Sequence, residues 1–177
     1  PKKPENYRPI TLLGTMYKIY TRLIANRLSN AVGPYLRKTQ YGFRKYRSAT
    51  HAIHVVRRTM EAFFHKTDTD LNLLLLDWSK AFDRVRRMEL YKYLLEKGVP
   101  VRYVEAIRNL HIGTKLAPFF EGELGEMTED TLGVFQGSPI SPKLFIIYTQ
   151  TINEELTKAS EEQGRKGKKI QMKKEDG

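Results

Sequence analysis

The chain has 177 residues, 40% of them apolar, enough to bury the core of one domain or two small subdomains; with no cysteine, disulfides, zinc ribbons and thiol catalysis are excluded. The net charge of +11 is one-sided, since residues 1–66 hold 14 Lys/Arg against 2 acids while residues 67–177 hold 17 against 18. Such a field attracts polyanions: nucleic acid, nucleotide phosphates or an anionic membrane are natural partners, a merely solubilising surface is the alternative, and arginines interleaved with Tyr and Phe favour nucleic acid or nucleotide over it.

In chain order, Pro-Lys-Lys-Pro-Glu-Asn at the start has no hydrophobic signal core behind its charges, and no apolar run approaches the roughly 18 to 20 residues that span a bilayer, so a soluble chain without a membrane partner is expected. An amphipathic helix is predicted over Thr15 to Val32, with Met16, Ile19, Tyr20, Leu23, Ile24, Leu28 and Ala31 at helical spacing and Gly33-Pro34 as its stop. A basic glycine-containing loop, Gln40 to Arg47, precedes a second helix that begins near Ser48 or Thr50 and presents Ile53, Val56, Met60 and Phe63 to a core.

Leu71 to Trp78 is short and nearly continuously apolar, which predicts a central strand covered on both faces and ending at the carboxylate of Asp77. Met88–Lys97 and Pro100–Leu110 read as helices, with Gly98 capping the first, Pro100 opening the second and Gly113 closing the pair. Lys115 to Phe120 and the stretch after Glu121-Gly122 suggest a hairpin, and Thr131 to Phe135 another short strand leading into Gln136-Gly137-Ser138-Pro139. Ser141-Pro142 then provides an N-cap and first-turn proline for a helix with the stripe Leu144, Phe145, Tyr148, Ile152 and Leu156. From about Ser160 onward the chain is charged and polar, and a mobile tail is expected.

A carboxylate at the end of a buried strand is rigidly aimed and can hold Mg²⁺ against a substrate phosphate; taken alone, such an Asp is more often a turn or N-cap residue. Its setting decides between these. Asn-Tyr-Arg-Pro-Ile-Thr-Leu-Leu (6–13), Gln-Tyr-Gly-Phe-Arg-Lys-Tyr-Arg-Ser (40–48), Leu-Asp-Trp-Ser-Lys-Ala-Phe-Asp-Arg-Val (76–85) and Gly-Val-Phe-Gln-Gly-Ser-Pro-Ile-Ser-Pro-Lys-Leu-Phe (133–145) follow one another in that order. They resemble the successive motifs of non-LTR (LINE-type) retrotransposon reverse transcriptases over roughly residues 4 to 156.

The resemblance implies an α/β (α+β) right-hand polymerase fold: basic fingers over residues 1–66, a partial palm sheet with helices on one face over 67–159, and the charged tail over 160–177. It makes Asp77 the first catalytic, metal-binding aspartate, with the Trp78 carbonyl near a second Mg²⁺. Phe82 becomes an aromatic gate against a ribose 2′-OH, with ordinary core packing as its alternative. Arg44, and secondarily Arg47, would clamp the incoming triphosphate, as guanidinium forks suit phosphate oxygens. Gln136 and Gly137 would lie under the nucleotide, where glycine permits close approach. Asp83 falls outside the metal centre and is assigned a structural or helix-start role, while Tyr7, Arg8 and Pro9 frame the template path.

The family's third motif, Ala-Asp-Asp on a tight hairpin, occurs nowhere in these residues, and Glu175-Asp176-Gly177 behind Lys173-Lys174 is no substitute. The expectation is a fragment cut off before the polymerase is chemically complete, inactive alone, exposing sheet edge and apolar helix surface. RNA template, DNA primer, dNTP and a missing C-terminal half or other protein are the implied partners, and the nucleus or cytoplasm the implied location. A repurposed, non-catalytic nucleic-acid-binding or structural protein is the alternative function, and a generic basic domain a third.

Overall fold

A computed structural model describes residues 8–65, 71 and 73–162. Helix α1 runs Thr15–Val32, as its periodicity predicts, and Pro34 turns the chain into a short 3₁₀ segment, Gly33–Tyr35. Helix α2, Ala49–Phe64, starts behind Ser48, whose side chain accepts from the His51 amide at 3.4 Å. Helices α3 (Arg87–Glu96) and α4 (Val101–Asn109) are separated by a Schellman turn: Gly98, at φ +75°, donates to Leu95 O and Val99 to Leu94 O. The last helix, α5, runs Ser141–Glu162, three residues into the segment expected to be a tail; residues 163–177 lie outside the described ones.

The core is helix on helix. Ile24, Leu28 and Val32 of α1, Leu90 and Leu94 of α3, Val104 and Ile107 of α4, and Leu144 and Ile147 of α5 are all buried in one cluster. Each such side chain stabilises the fold by roughly 1.5–3 kcal/mol over its exposed state. Polar ties reinforce the α3–α5 contact: Tyr93 Oη and Lys97 Nζ both reach Glu154, at 2.9 and 3.1 Å. Among the described residues, strands are confined to two antiparallel two-stranded ladders, β1 (Lys115–Leu116) with β4 (Thr128–Glu129) and β2 (Phe119–Phe120) with β3 (Glu123–Leu124). The inner ladder is the expected hairpin, turned by Glu121 (φ +49°) and Gly122 (φ +90°).

Several expectations are corrected. Residues 73–78 form no strand, and Leu74, Leu75 and Leu76 are exposed. A continuous apolar run signals two covered faces without saying what covers them, and among the described residues no backbone lies beside this one to take its N–H and C=O groups. The layered palm sheet is therefore not found there; a helical bundle with small ladders is. Residues 131–135 are likewise irregular, although the same segment is well tied down, as described below. Helix α2 buries none of its residues, so the face carrying Ile53 and Val56 is uncovered. On α1, Met16, Ile19, Tyr20 and Leu23 are exposed, because the bundle takes the face one step round, through Thr21, Ile24, Ala25, Leu28 and Val32. Finally, Ser141 is buried in the first turn of α5 and its hydroxyl caps nothing.

Candidate functional site

Residues 79–84 turn tightly, with Lys80 at φ +52° accepting from the amides of Asp83 and Arg84. This turn delivers Phe82 and Asp83 to the segment 131–137, far away in sequence. Val134 donates to Phe82 O at 2.9 Å and Gly133 to Val85 O at 3.0 Å. A side chain at Gly133 would meet the Asp83 backbone at 2.8 Å, so glycine permits the approach. Three residues on, Gln136 O accepts from the Thr11 amide at 2.7 Å, and a Cβ on Gly137 would sit 2.6 Å from Thr11 O. The Gln136 side-chain amide donates to Asp83 Oδ1 at 3.3 Å. Asp83 therefore orients Gln136 instead of starting α3, whose N-cap position is Arg86 without a side-chain cap. Around them lies a cleft of about 300 Å³ whose walls include Pro9, Thr11, Asp83, Gly133 and Gln136.

The residue that holds this arrangement is Arg87. It is buried, and it donates from Nε to Gly133 O (2.7 Å), from Nη1 to Asp130 O (2.7 Å), and from Nη2 to Leu132 O (3.2 Å) and the Asp130 carboxylate. Its guanidinium also lies over the Phe135 ring, 5.7 Å from the centroid. Behind Phe135 is His111, 5.5 Å away ring to ring, whose Nδ1 shares a 3.0 Å hydrogen bond with Tyr91 Oη. Burial above all, with Arg87 beside it, pushes the His111 imidazole down to about 4. Sequence reading passed over Arg87. Its signal was a charged residue in register with Leu90, Tyr91 and Leu94 on the apolar face of α3.

The basic loop comes to the same region through aromatic rings. Phe82 stacks on Phe145 of α5 at 5.0 Å and 16°, and Phe43 meets Phe82 edge-on at 6.1 Å. The Phe82 ring is thus a half-buried packing element joining loop, turn and helix. Lys143 Nζ ties the loop further by donating to Phe43 O at 2.5 Å. Arg44 donates to Arg37 O at 2.9 Å, and Arg47 donates to Lys38 O and lies over the Tyr41 ring. Arg44, Lys45 and Lys143 rim a second cleft, about 240 Å³, floored by Leu28, Val32 and Ile147. Burial and then the neighbouring Arg47 hold the Arg44 guanidinium below its ordinary value; burial and then Arg44 do the same to Lys143. Crowded cations with no carboxylate in the cleft wall favour an anion.

Asp77 stands apart. It is exposed, its Oδ1 accepts from the Trp78 amide at 2.9 Å, and no hydrogen bond or ion pair among the described residues links it to Arg44, Phe82 or Gln136. Nor do those residues gather three or more His, Asp or Glu side chains into a metal-holding group. One free carboxylate oxygen and a backbone carbonyl can fill at most two of magnesium's octahedral positions, too few for a two-ion centre. Of the motif residues, then, Thr11, Phe82, Asp83, Gln136 and Gly137 are brought together, Arg44 is linked to them through Phe43, and Asp77 shares no hydrogen bond or ion pair with them among the described residues. Tyr7 lies outside the described residues.

The chain is 30% identical over 154 residues to the probable RNA-directed DNA polymerase from transposon X-element of Drosophila melanogaster, covering 84% of this chain and 16% of that protein. It is 31% identical over 152 residues to the RNA-directed DNA polymerase from mobile element jockey of Drosophila funebris, with the same coverage of 84% and 16%. With the type-2 retrotransposable element R2DM polyprotein of Drosophila melanogaster the figures are 28% over 144 residues, 81% of this chain and 13% of that protein. The chain thus spans less than a fifth of the length of these relatives. Residues 1–172 match the family model described as reverse transcriptase (RNA-dependent DNA polymerase), and the chain belongs to that family.

Proposed function

We propose that this chain is the fingers and front palm of the RNA-directed DNA polymerase of a non-LTR (LINE-type) retrotransposon, acting inside the cell on an RNA template, a DNA primer and dNTPs. The observation that carries this reading is the convergence of Pro9, Thr11, Asp83 and residues 133–136 on one cleft, with the basic loop joined to it through Phe43 and Phe82. Mobile elements named in the relatives' descriptions support it. In this role Arg44, with Arg47 beside it, attracts the triphosphate, Gln136 and Gly137 offer an amide and a close-lying backbone to the base pair, and Phe82 limits the room beside the sugar. Asp77 and the Trp78 carbonyl are the chain's contribution to a magnesium site, where the ion would supply charge neutralisation at the phosphates; the remaining acids come from elsewhere.

The test is primer extension on an RNA template with Mg²⁺ and dNTPs, using the chain alone and mixed with a downstream Ala-Asp-Asp-bearing half from a related enzyme. Extension only in the mixture, abolished by Asp77→Ala, is expected. Extension by the chain alone would overturn the two-ion argument. Salt-sensitive RNA binding with no extension in the mixture would favour a repurposed nucleic-acid-binding protein.

A further inference from the structure

Away from the motif segments, α1 and α4 form the two walls of an open groove of about 640 Å³, more than twice either cleft described above. Helix α1 supplies Tyr20, Leu23 and Arg27 at successive turns, with Ile24 at the base; α4 supplies Arg102, Tyr103 and Ala106. No residue of the four motifs lines it, and neither does any carboxylate. Tyr20 and Leu23 are about half exposed, at 48% and 54%, so their surfaces are open to a ligand.

The charges on this groove are unspent. Four arginines elsewhere are neutralised by acids, Arg57 and Arg58 by Glu61, Arg86 by Glu89 and Arg87 by Asp130. Among the described residues Arg27 and Arg102 have no acidic partner, and α1 carries Lys18, Arg22 and Arg27 with no acid in its eighteen residues. The Arg102 guanidinium already lies over the Tyr103 ring, 5.3 Å from its centroid, which makes a flat cationic and aromatic surface. Aromatic faces interleaved with guanidinium groups are what single strands use: bases stack on the rings while phosphates pair with the arginines.

We propose that the α1–α4 groove is a second binding site for single-stranded nucleic acid, with Tyr20 and Tyr103 stacking bases and Arg27 and Arg102 holding phosphate. The absence of any carboxylate suits either polyanion, and the two tyrosines, one on each wall, favour this ligand over an acidic peptide, which would use the apolar floor and leave the rings without stacking partners. The site is independent of the polymerase reading, because it shares no residue with the motif clefts and its test involves no polymerisation.

The experiment is fluorescence anisotropy of a labelled 12-nucleotide oligouridylate with the full chain across a salt series. Paired variants are R27Q/R102Q, Y20A/Y103A and, as an equal loss of charge elsewhere, R57Q/R58Q; circular dichroism establishes that each retains its helices. Loss of the tyrosines is expected to weaken binding roughly tenfold or more, from stacking of one or two bases. R27Q/R102Q is expected to lower the slope of log K against log salt by about 1.4, two phosphate contacts at about 0.7 each for a single strand. R57Q/R58Q should leave the tyrosine-dependent part intact. Equal effects of R27Q/R102Q and R57Q/R58Q, with no loss in Y20A/Y103A, would reduce the groove to bulk charge and overturn the proposal. So would displacement of the oligonucleotide from this groove by a 12-residue polyglutamate at equal concentration, which would assign it to an acidic protein segment.

Discussion

Replacing Arg87 by methionine is the sharpest test of how the site is held. The change keeps the aliphatic stem and removes a guanidinium that is 8% exposed and reaches three main-chain carbonyls and one carboxylate. Breaking a buried charge pair by deleting one partner costs about 3–5 kcal/mol, and Asp130, at 20% exposure, recovers some hydration, which places the loss near the lower end, about 3 kcal/mol. Asp130→Asn, which leaves the carbonyl bonds and an amide oxygen in place, should cost less, about 1.5–2 kcal/mol. Urea melts followed by circular dichroism measure both. Hydrogen exchange gives the local readout, because the amides of Gly133 and Val134 are bonded to Val85 O and Phe82 O and should exchange faster once the segment loosens. An Arg87→Met protein within about 0.5 kcal/mol of the parent, the range of an ordinary surface change, with unchanged exchange at those amides, would refute the reasoning.

Further outcomes follow from single positions. Gly137→Ala places a Cβ 2.6 Å from Thr11 O at φ +126° and should cost roughly 2–3 kcal/mol, whereas Gly98→Ala, at φ +75° with nothing within 4 Å, should cost about 1 kcal/mol; equal losses in urea melts would show that Thr11 yields. His111 has a folded value of about 4 against an ordinary 6.5, so the unfolded chain binds its proton first. Stability is therefore fully present above pH 6.5 and falls as pH drops toward 4, by up to about 3 kcal/mol at 1.36 kcal/mol per unit. His111→Gln should flatten the melts between pH 6.5 and 5, and an unchanged slope would exclude His111 as its source. Glu121→Asn puts a residue tolerant of positive φ at +49° ahead of Gly122, and a gain of up to about 1 kcal/mol is expected; a loss in thermal melts would mean the hairpin turn is not of this type.

Sequence alone determined the elements whose causes lie within a few residues. Ser48, Gly98, Pro34 and the Glu121-Gly122 pair act on their immediate neighbours, so α1 through α5 and the inner hairpin were legible within a residue or two at most starts. Motif order, and with it the family, is also a one-dimensional property. Tertiary structure decided what each face meets. Leu74 to Leu76 read as a buried strand because apolarity reports a need for cover, yet pairing depends on backbone from elsewhere. The same holds for α2, whose stripe is periodic yet leaves Ile53 and Val56 exposed, and for α1, where the bundle selects one of two adjacent faces. Arg87 shows the converse: a charge is buried only when distant carbonyls and a carboxylate surround it, and residues 130–133 come to it through folding, not through spacing.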